Sequence, residues 1–458
     1  MHVHILGVGG TFMGGIAAIA RSAGHRVTGS DRNLYPPMST QLASLGIEVI
    51  EGYEAGQLDL NPDVIVVGNA LSRGLPVIEA MLDRGLVYTS GPEWLSTQVL
   101  RGRHVLAVAG THGKTTTTGM LAWILDVAGL SPGFLIGGVA ANFTSTARLG
   151  AAPFFVIEAD EYDTAFFDKR AKFLHYRPRT AILNNLEYDH ADIYPDLDAI
   201  KRQFNQLLRT VPAAGRVVVN GEDRNLADTL AQGCWTPTAR FAIAGTDAEW
   251  SARLEDGGAG ERFDVLWRER AIGRVEWTLI GRHNVLNALA AIAAAQHAGV
   301  APERAIEALG SFRGVKRRME IRGRVGGITV YDDFAHHPTA IATTLAGLRA
   351  RVGRERILAV IEPRSNTMKR GVHRAELAAA VAAADQTWFF TPADLGWDLR
   401  GAVAALGDGA HFAASVEVLA TDLAAVARAG DHVLIMSNGG FGGLHEKLLA
   451  QLRAGRGH

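Results

Sequence analysis

Residues 106–120 read LAVAGTHGKTTTTGM. An apolar run enters a glycine turn, and a helix-forming run leaves it behind a lysine and a row of threonines. No other stretch constrains the fold as much. Such a turn grips phosphate only when a sheet holds its strand and a helix N-terminus faces the ligand. The strict pattern G-x-x-x-x-G-K-[ST] asks for glycine at 108, where Val108 stands. Gly110, Gly113, Lys114 and Thr115 are in place, with Thr111, His112 and Thr116 completing the loop. The turn supplies convergent N–H donors and Lys114 a cation for β/γ-phosphates. Thr115 offers a hydroxyl for Mg²⁺. A plain capping turn explains neither Lys114 nor the hydroxyl beside it.

The surrounding sequence alternates strands with helices, the mark of parallel α/β units. HVHILGVGG is a strand entering a second glycine turn, followed by a helical run and the strands RVTGSD and DVIVVGNA. A new strand, HVLAVAG, opens a second unit, continued by PFFVIEAD, TAILNNL and GRVVVN. The stretch 247–279 alternates as an antiparallel hairpin insertion, and NVLNALAAIAAAQHAGV reads as a buried helix. GITVYDDFAHHP, RILAVIEP, QTWFFTPA and DHVLIMSNGG form a third set of strands. The expectation is three α/β units, at residues 1–101, 102–320 and 321–458.

A chain of 458 residues accommodates that many domains. Lys+Arg (46) and Asp+Glu (47) nearly cancel, so no global field favours nucleic acid or an anionic membrane. Cys234 is the only cysteine, which excludes an intramolecular disulfide and a cysteine-based zinc cluster. No apolar run reaches the ~18–20 residues that span a bilayer, and the start lacks a signal-type segment. A cytoplasmic enzyme is the expectation, with no obligate protein partner in view.

Mg²⁺ prefers oxygen ligands. Glu158 follows four apolar residues at a strand end, and Glu187, Asp189 and His190 crowd the next strand-end loop. One such acid is ordinarily a solvated loop residue; two acidic loops beside a phosphate turn favour metal binding. Alone, His190 is ambiguous, because a core or capping histidine is the commoner case. In GVGGTFMGG the strict G-x-G-x-x-G fails, because Phe12 takes the sixth position. Asp31, about 20 residues on, would suit the ribose of a nicotinamide dinucleotide. That leaves a nicotinamide-dependent dehydrogenase as a reading from another class.

GTHGKTTT, EADEYD, NNLEYDH, GRHNVLNALAA, GVKRRME and DDFAHHP occur in the order found in the Mur ligases, which the chain resembles over essentially its whole length. These are ATP-dependent amide-forming enzymes of peptidoglycan synthesis. The resemblance implies a Rossmann-like UDP-binding domain, a central P-loop ATPase domain with a parallel sheet, and a C-terminal Rossmann-like domain. It also accounts for Val108, since the family favours G-T-x-G-K-T. The general pattern resembles the UDP-N-acetylmuramate–L-alanine ligases. GTFMGG, YPPMST, FFDKR, EPRSNTMK and SNGGFGG are more similar to the murein peptide ligases, which act in peptidoglycan recycling. Those join the tripeptide L-Ala-γ-D-Glu-meso-diaminopimelate to UDP-N-acetylmuramate.

The remaining assignments follow from the resemblance. It implies catalytic roles for Lys114, Glu158 and His190. Thr115 and Glu158 hold one Mg²⁺ and His190 the second; no lysine after His190 suits the carbamylated form that some Mur ligases use. Asn284 and Asn287 meet adenine, although Asn284 fits an N-cap as well. Arg318 reaches the phosphates and Asp333 the ribose; Arg318 also suits a solvated linker charge. Gly9, Gly10, Thr11, Met13, Gly14, Ser30, Asp31 and Asn69 take the UDP-sugar. His336 holds the incoming amine, and Phe334 stands where a tyrosine is common. Arg364, Asn366 and Lys369 meet acceptor carboxylates, unless that loop is simply a solvated cationic one.

Overall fold

The computed structural model describes residues 1–34, 38–151, 153–243, 247–255 and 259–455. Tyr35, Pro36 and Pro37, which open the YPPMST stretch, lie outside the described residues.

Each glycine turn singled out in the sequence ends a largely buried strand. In the first sheet His2–Leu6 lies between Arg26–Asp31 and Val64–Val67, with Glu48–Glu51 and Tyr88–Ser90 at the edges. All its pairings are parallel. The strands Glu48–Glu51 and Tyr88–Ser90 escaped the sequence because they are short and partly exposed, with no apolar run to mark them.

The second sheet has ten strands. His104–Ala109 sits between Thr180–Leu183 and Phe154–Glu158, parallel to both. Apolar residues on both faces explain the run LAVA: the helices Lys114–Val127 and Arg282–His297 cover one side of this sheet, and the first unit's core runs into the other. The alternating stretch near residue 250 is not a separate hairpin. It gives three strands, Trp250–Leu254, Arg262–Trp267 and Arg270–Glu276, which pair antiparallel with one another and extend the same sheet. Trp250–Leu254 continues it parallel from Thr238–Ile243.

A small hairpin, Asp163–Ala165 with Asp168–Ala171, stands apart from the large sheet. Its Phe167 meets Tyr88 of the first unit edge-on at 4.9 Å, and Phe166 packs on that unit's second core. The helix Thr11–Ser22 also lies against Leu135 and Ala147, where a Cβ on Gly15 would come within 3.2 Å of Ala147. The first two units therefore share buried surface.

The third sheet holds Ile328–Asp333, His432–Met436, Ile357–Ile361, Gln386–Phe390 and Ala410–Ala413 in parallel, with Glu320–Val325 antiparallel at one edge. Two further cores, largely its own, flank it. Among the described residues no helix is long and apolar enough to cross a membrane.

Candidate active site

The phosphate-type turn needs glycine at two places. Gly110 has φ +148°, and a Cβ there would sit 3.0 Å from Asn184 Cβ. Gly113 has φ +78° and precedes the helix Lys114–Val127 without a side-chain cap; a Cβ there would meet Asn287 Oδ1 at 2.6 Å. The loop is braced from the neighbouring strand end. His112 N–H donates to Asn185 Oδ1 (2.7 Å), Asn185 Nδ2 donates back to His112 O (3.1 Å), and Glu187 N–H donates to Thr111 Oγ1 (2.9 Å). Thr116 is buried in the first helical turn.

Charge converges on this turn. Lys114 Nζ lies 2.7 Å from Glu161 Oε2 and 3.8 Å from Asp160 Oδ1. Burial works against its charge, but Glu161 and Asp160 outweigh that and hold the ammonium above its ordinary range. Glu161 also faces His190 Nε2 at 3.1 Å. Burial would raise its carboxyl; Lys114 and His190 overcome this and bring it down to about 2. His190, at φ +53°, is pushed down by burial and more than restored by Glu161, so its imidazole titrates above the usual value.

Thr115 Oγ1 donates to Glu158 Oε1 at 3.0 Å, and Gly137 N–H to Glu158 Oε2 at 2.7 Å. Burial and the nearby Asp160 raise the Glu158 carboxyl. A half-buried carboxylate, a hydroxyl and further acids at one helix N-terminus are a hard-oxygen donor set, which fits Mg²⁺.

The third unit closes over the turn. Arg318 stacks on Phe334, 4.6 Å from the ring centre, with Nη2 3.4 Å from Thr115 Oγ1. Asp333 accepts the N–H groups of Met319 and Ala335, both at 2.8 Å, and burial pushes its carboxyl up. Thr367 donates to the buried Asp189 at 2.5 Å, and His373 Nε2 to Tyr188 O at 3.0 Å. Between the units lies a cleft of about 320 Å³ lined by Asp189, His190, His336, Arg364, Thr367 and Asn438 among others. The His336 Nδ1–H donates to Phe334 O at 2.9 Å, and burial lowers its pKa.

Several expected residues have internal partners. Asn287 is buried beneath Gly113 and accepts from Asn184 Nδ2 at 3.3 Å; Asn284 Nδ2 donates to Ile280 O at 2.7 Å. Asn366 Nδ2 donates to Asp192 Oδ2 at 2.8 Å, and Lys369 pairs with Asp394 at 2.6 Å. In the first unit Asp31 Oδ2 accepts the Gly9 N–H at 2.8 Å, and Ser30 is fully buried. Met13 is buried and Gly14 lies against Met38. Gly10 and Thr11 stand at the start of the helix Thr11–Ser22, and Asn69 is half-buried just beyond the adjacent strand Val64–Val67.

Sequence reasoning passed over Asp160, Glu161, Lys172 and Thr367. Only EADEYD carried a signal, its cluster of acids directly after a strand. Lys172 is buried 4.6 Å from the Phe12 ring centre and 4.2 Å from that of Tyr162, with Asp160 at 3.6 Å.

Models of three domains match in series: the Mur ligase family catalytic domain at residues 2–103, the Mur ligase middle domain at 108–295, and the Mur ligase glutamate ligase domain at 317–439. Over 450 residues the chain is 54% identical to an Escherichia coli protein, with 98% of each chain covered. The chain is a Mur ligase. That relative is the UDP-N-acetylmuramate–L-alanyl-γ-D-glutamyl-meso-2,6-diaminoheptandioate ligase. A UDP-N-acetylmuramate–L-alanine ligase of Paenarthrobacter aurescens is 38% identical, over 84% of this Mur ligase and 81% of that protein. The crystal structure of a murein peptide ligase from Psychrobacter arcticus superposes with a TM-score of 0.78 at 49% identity, covering 99% of both chains. The dehydrogenase reading falls with the family assignment.

Proposed function

We propose that this Mur ligase joins the tripeptide L-alanyl-γ-D-glutamyl-meso-diaminopimelate to UDP-N-acetylmuramate, driven by ATP and Mg²⁺. One observation carries the choice of acceptor. Identity to the tripeptide ligase is 54% across 98% of the chain, against 38% across 84% for the alanine ligase. The units at 1–101, 102–320 and 321–458 then bind UDP-sugar, ATP and acceptor respectively.

In this reading a carboxylate oxygen of the sugar's lactyl group attacks the γ-phosphorus of ATP, and ADP departs. The acceptor amine attacks the resulting acyl phosphate, an amide bond forms, and inorganic phosphate leaves. Charge gathers on phosphoryl oxygens in the first step, so fixed cations dominate. Lys114 exchanges Glu161 for the phosphate oxygens. Arg318 approaches from the junction of the second and third units, held flat by Phe334. Thr115 and Glu158 would hold one Mg²⁺ and His190 a second. Bound there, the metal would neutralise the β- and γ-oxygens. Asp333 meets the ribose, and Asn284 and Asn287 shape the adenine end. Gly10, Thr11 and Asn69 offer the first unit's pyrophosphate donors.

His336 is neutral at pH 7 because burial lowers its pKa. With Nδ1–H fixed on Phe334 O, its Nε2 lone pair is free to accept an N–H of the incoming amine. Arg364 is the cation that lines the cleft, and it suits an acceptor carboxylate. Asn366 and Lys369 act there only if they leave Asp192 and Asp394.

The test offers the purified protein ATP, Mg²⁺ and UDP-N-acetylmuramate, first with L-alanine and then with the tripeptide, while ADP release is followed. Turnover with the tripeptide is expected. Strong turnover with alanine and none with tripeptide overturns the acceptor.

A further inference from the structure

A group of side chains beside the phosphate turn has no part in the reaction above. His112 comes from the turn and Glu187 from the strand-end loop that braces it. His337 opens the helix Pro338–Val352 of the third unit. His112 Nε2 lies 3.1 Å from Glu187 Oε2, and His337 Nδ1 lies 3.3 Å from the same oxygen. The three atoms lie within 4.8 Å of one another, and the two imidazole centroids are 4.6 Å apart.

The proton positions at His337 are fixed by its partners. Its Nε2 faces the carbonyl of Tyr188 at 3.3 Å, and a carbonyl can only accept, so Nε2 carries the proton. Its Nδ1 receives the Thr339 N–H at 3.3 Å, so Nδ1 presents a lone pair. The same nitrogen also lies 3.3 Å from Glu187 Oε2. Burial, with His112 and His373 nearby, holds this imidazole neutral. Glu187 stays ionised: burial opposes this, and His112 more than compensates. Two acceptor atoms from different units therefore lie at contact distance, although each also accepts a hydrogen bond, Nδ1 from the Thr339 N–H and Glu187 from His112. A cation placed between them would take both as ligands. The carbonyl behind Nε2–H is the outer partner that orients a metal-binding imidazole.

We propose that His112, Glu187 and His337 form a binding site for a borderline-soft divalent cation of the zinc class, separate from the Mg²⁺ positions at Thr115, Glu158 and His190. Tetrahedral ligands at ~2.0–2.1 Å from zinc lie roughly 3.4 Å apart. Two edges of this triangle match that spacing already, and the third closes by a small rotation of His112. Two imidazoles select against Mg²⁺, which favours oxygen and keeps its waters. For a cation to bind, the His112 proton takes the Nδ1 position, which leaves the Nε2 lone pair as the ligand. The bound cation then ties the phosphate turn to the third unit and fastens the two together. The inference does not depend on which acceptor the enzyme uses.

Cobalt(II) is the probe, because its visible absorption reports coordination geometry. The full-length protein is stripped with a chelator, exchanged into excess Mg²⁺ and titrated with cobalt. Saturable binding with four- or five-coordinate bands is expected, reversed by zinc. Glu187→Gln and His337→Ala should each weaken it at least tenfold, while His190→Gln and His373→Gln leave it within a few-fold. Far-UV spectra establish folding. Should His337→Ala unfold, since that imidazole also caps its helix, Glu187→Gln and His112→Ala decide. No saturable binding overturns the proposal. So does unchanged binding in the Glu187 variant, or loss of binding in His190→Gln.

Discussion

Glu161 is the side chain on which the charges around the phosphate turn balance, and replacing it with glutamine tests that balance. The substitution keeps shape and removes the charge. The Glu161 side chain is 3% exposed and accepts from Lys114 at 2.7 Å and His190 at 3.1 Å. Lys114 would be left with Asp160 at 3.8 Å. The Glu161 carboxyl falls from an ordinary 4.5 to about 2 on folding. At ~1.4 kcal/mol per pH unit this is roughly 3 kcal/mol of stability. Because the folded value is the depressed one, the contribution is complete above pH 4.5 and disappears as pH falls towards 2. Urea unfolding of both proteins, followed by tryptophan fluorescence, measures it. At pH 7 the variant should be less stable by about 3 kcal/mol, and the gap should narrow by ~1.4 kcal/mol per pH unit below 4.5. The His190 imidazole should also titrate lower in the variant, because Glu161 is what raises it. Equal stability at pH 7, or a gap independent of pH, would refute the reasoning.

Lys114→Met should reduce ADP release by roughly a hundredfold or more while calorimetry finds UDP-sugar binding retained; loss of both would argue against separate sites. Gly113→Ala forces a side chain into left-handed backbone against Asn287, at about 1–2 kcal/mol, so ATP affinity should fall by roughly tenfold in a titration. Thr367→Val removes one of the two hydrogen bonds to the buried Asp189 Oδ1, leaving that of the His190 N–H, at about 1 kcal/mol. Its effect should appear in KM for the acceptor more than in ATP binding.

The legible parts of the fold were those with a local cause. Buried parallel strands write apolar runs such as LAVA and VIVV, and tight turns demand glycine at 110 and 113. Glu48–Glu51 and Ala147–Arg148 are strands only because neighbours pair with them. At the site, Lys114, Thr115 and Glu158 announced themselves by residue type after a strand, whereas His190 was singled out only through the family resemblance. Glu161 did not announce itself, because its importance comes from Lys114 and His190 arriving from two other loops. The Thr367–Asp189 tie spans 178 residues of chain and leaves no local trace. Asn366 and Lys369 looked available for a ligand in the sequence, which does not show that Asp192 and Asp394 face them.

In the proposed reaction, ATP held at Gly110–Thr115 passes its γ-phosphoryl group to the sugar-linked acid. UDP-N-acetylmuramate carrying heavy oxygen in its lactyl carboxylate tests this directly, with the released inorganic phosphate examined by mass spectrometry after turnover. Attack by that carboxylate leaves its oxygen on phosphorus when the amine displaces the phosphate, so labelled phosphate is the expected result. Unlabelled phosphate accompanying full amide formation would contradict it.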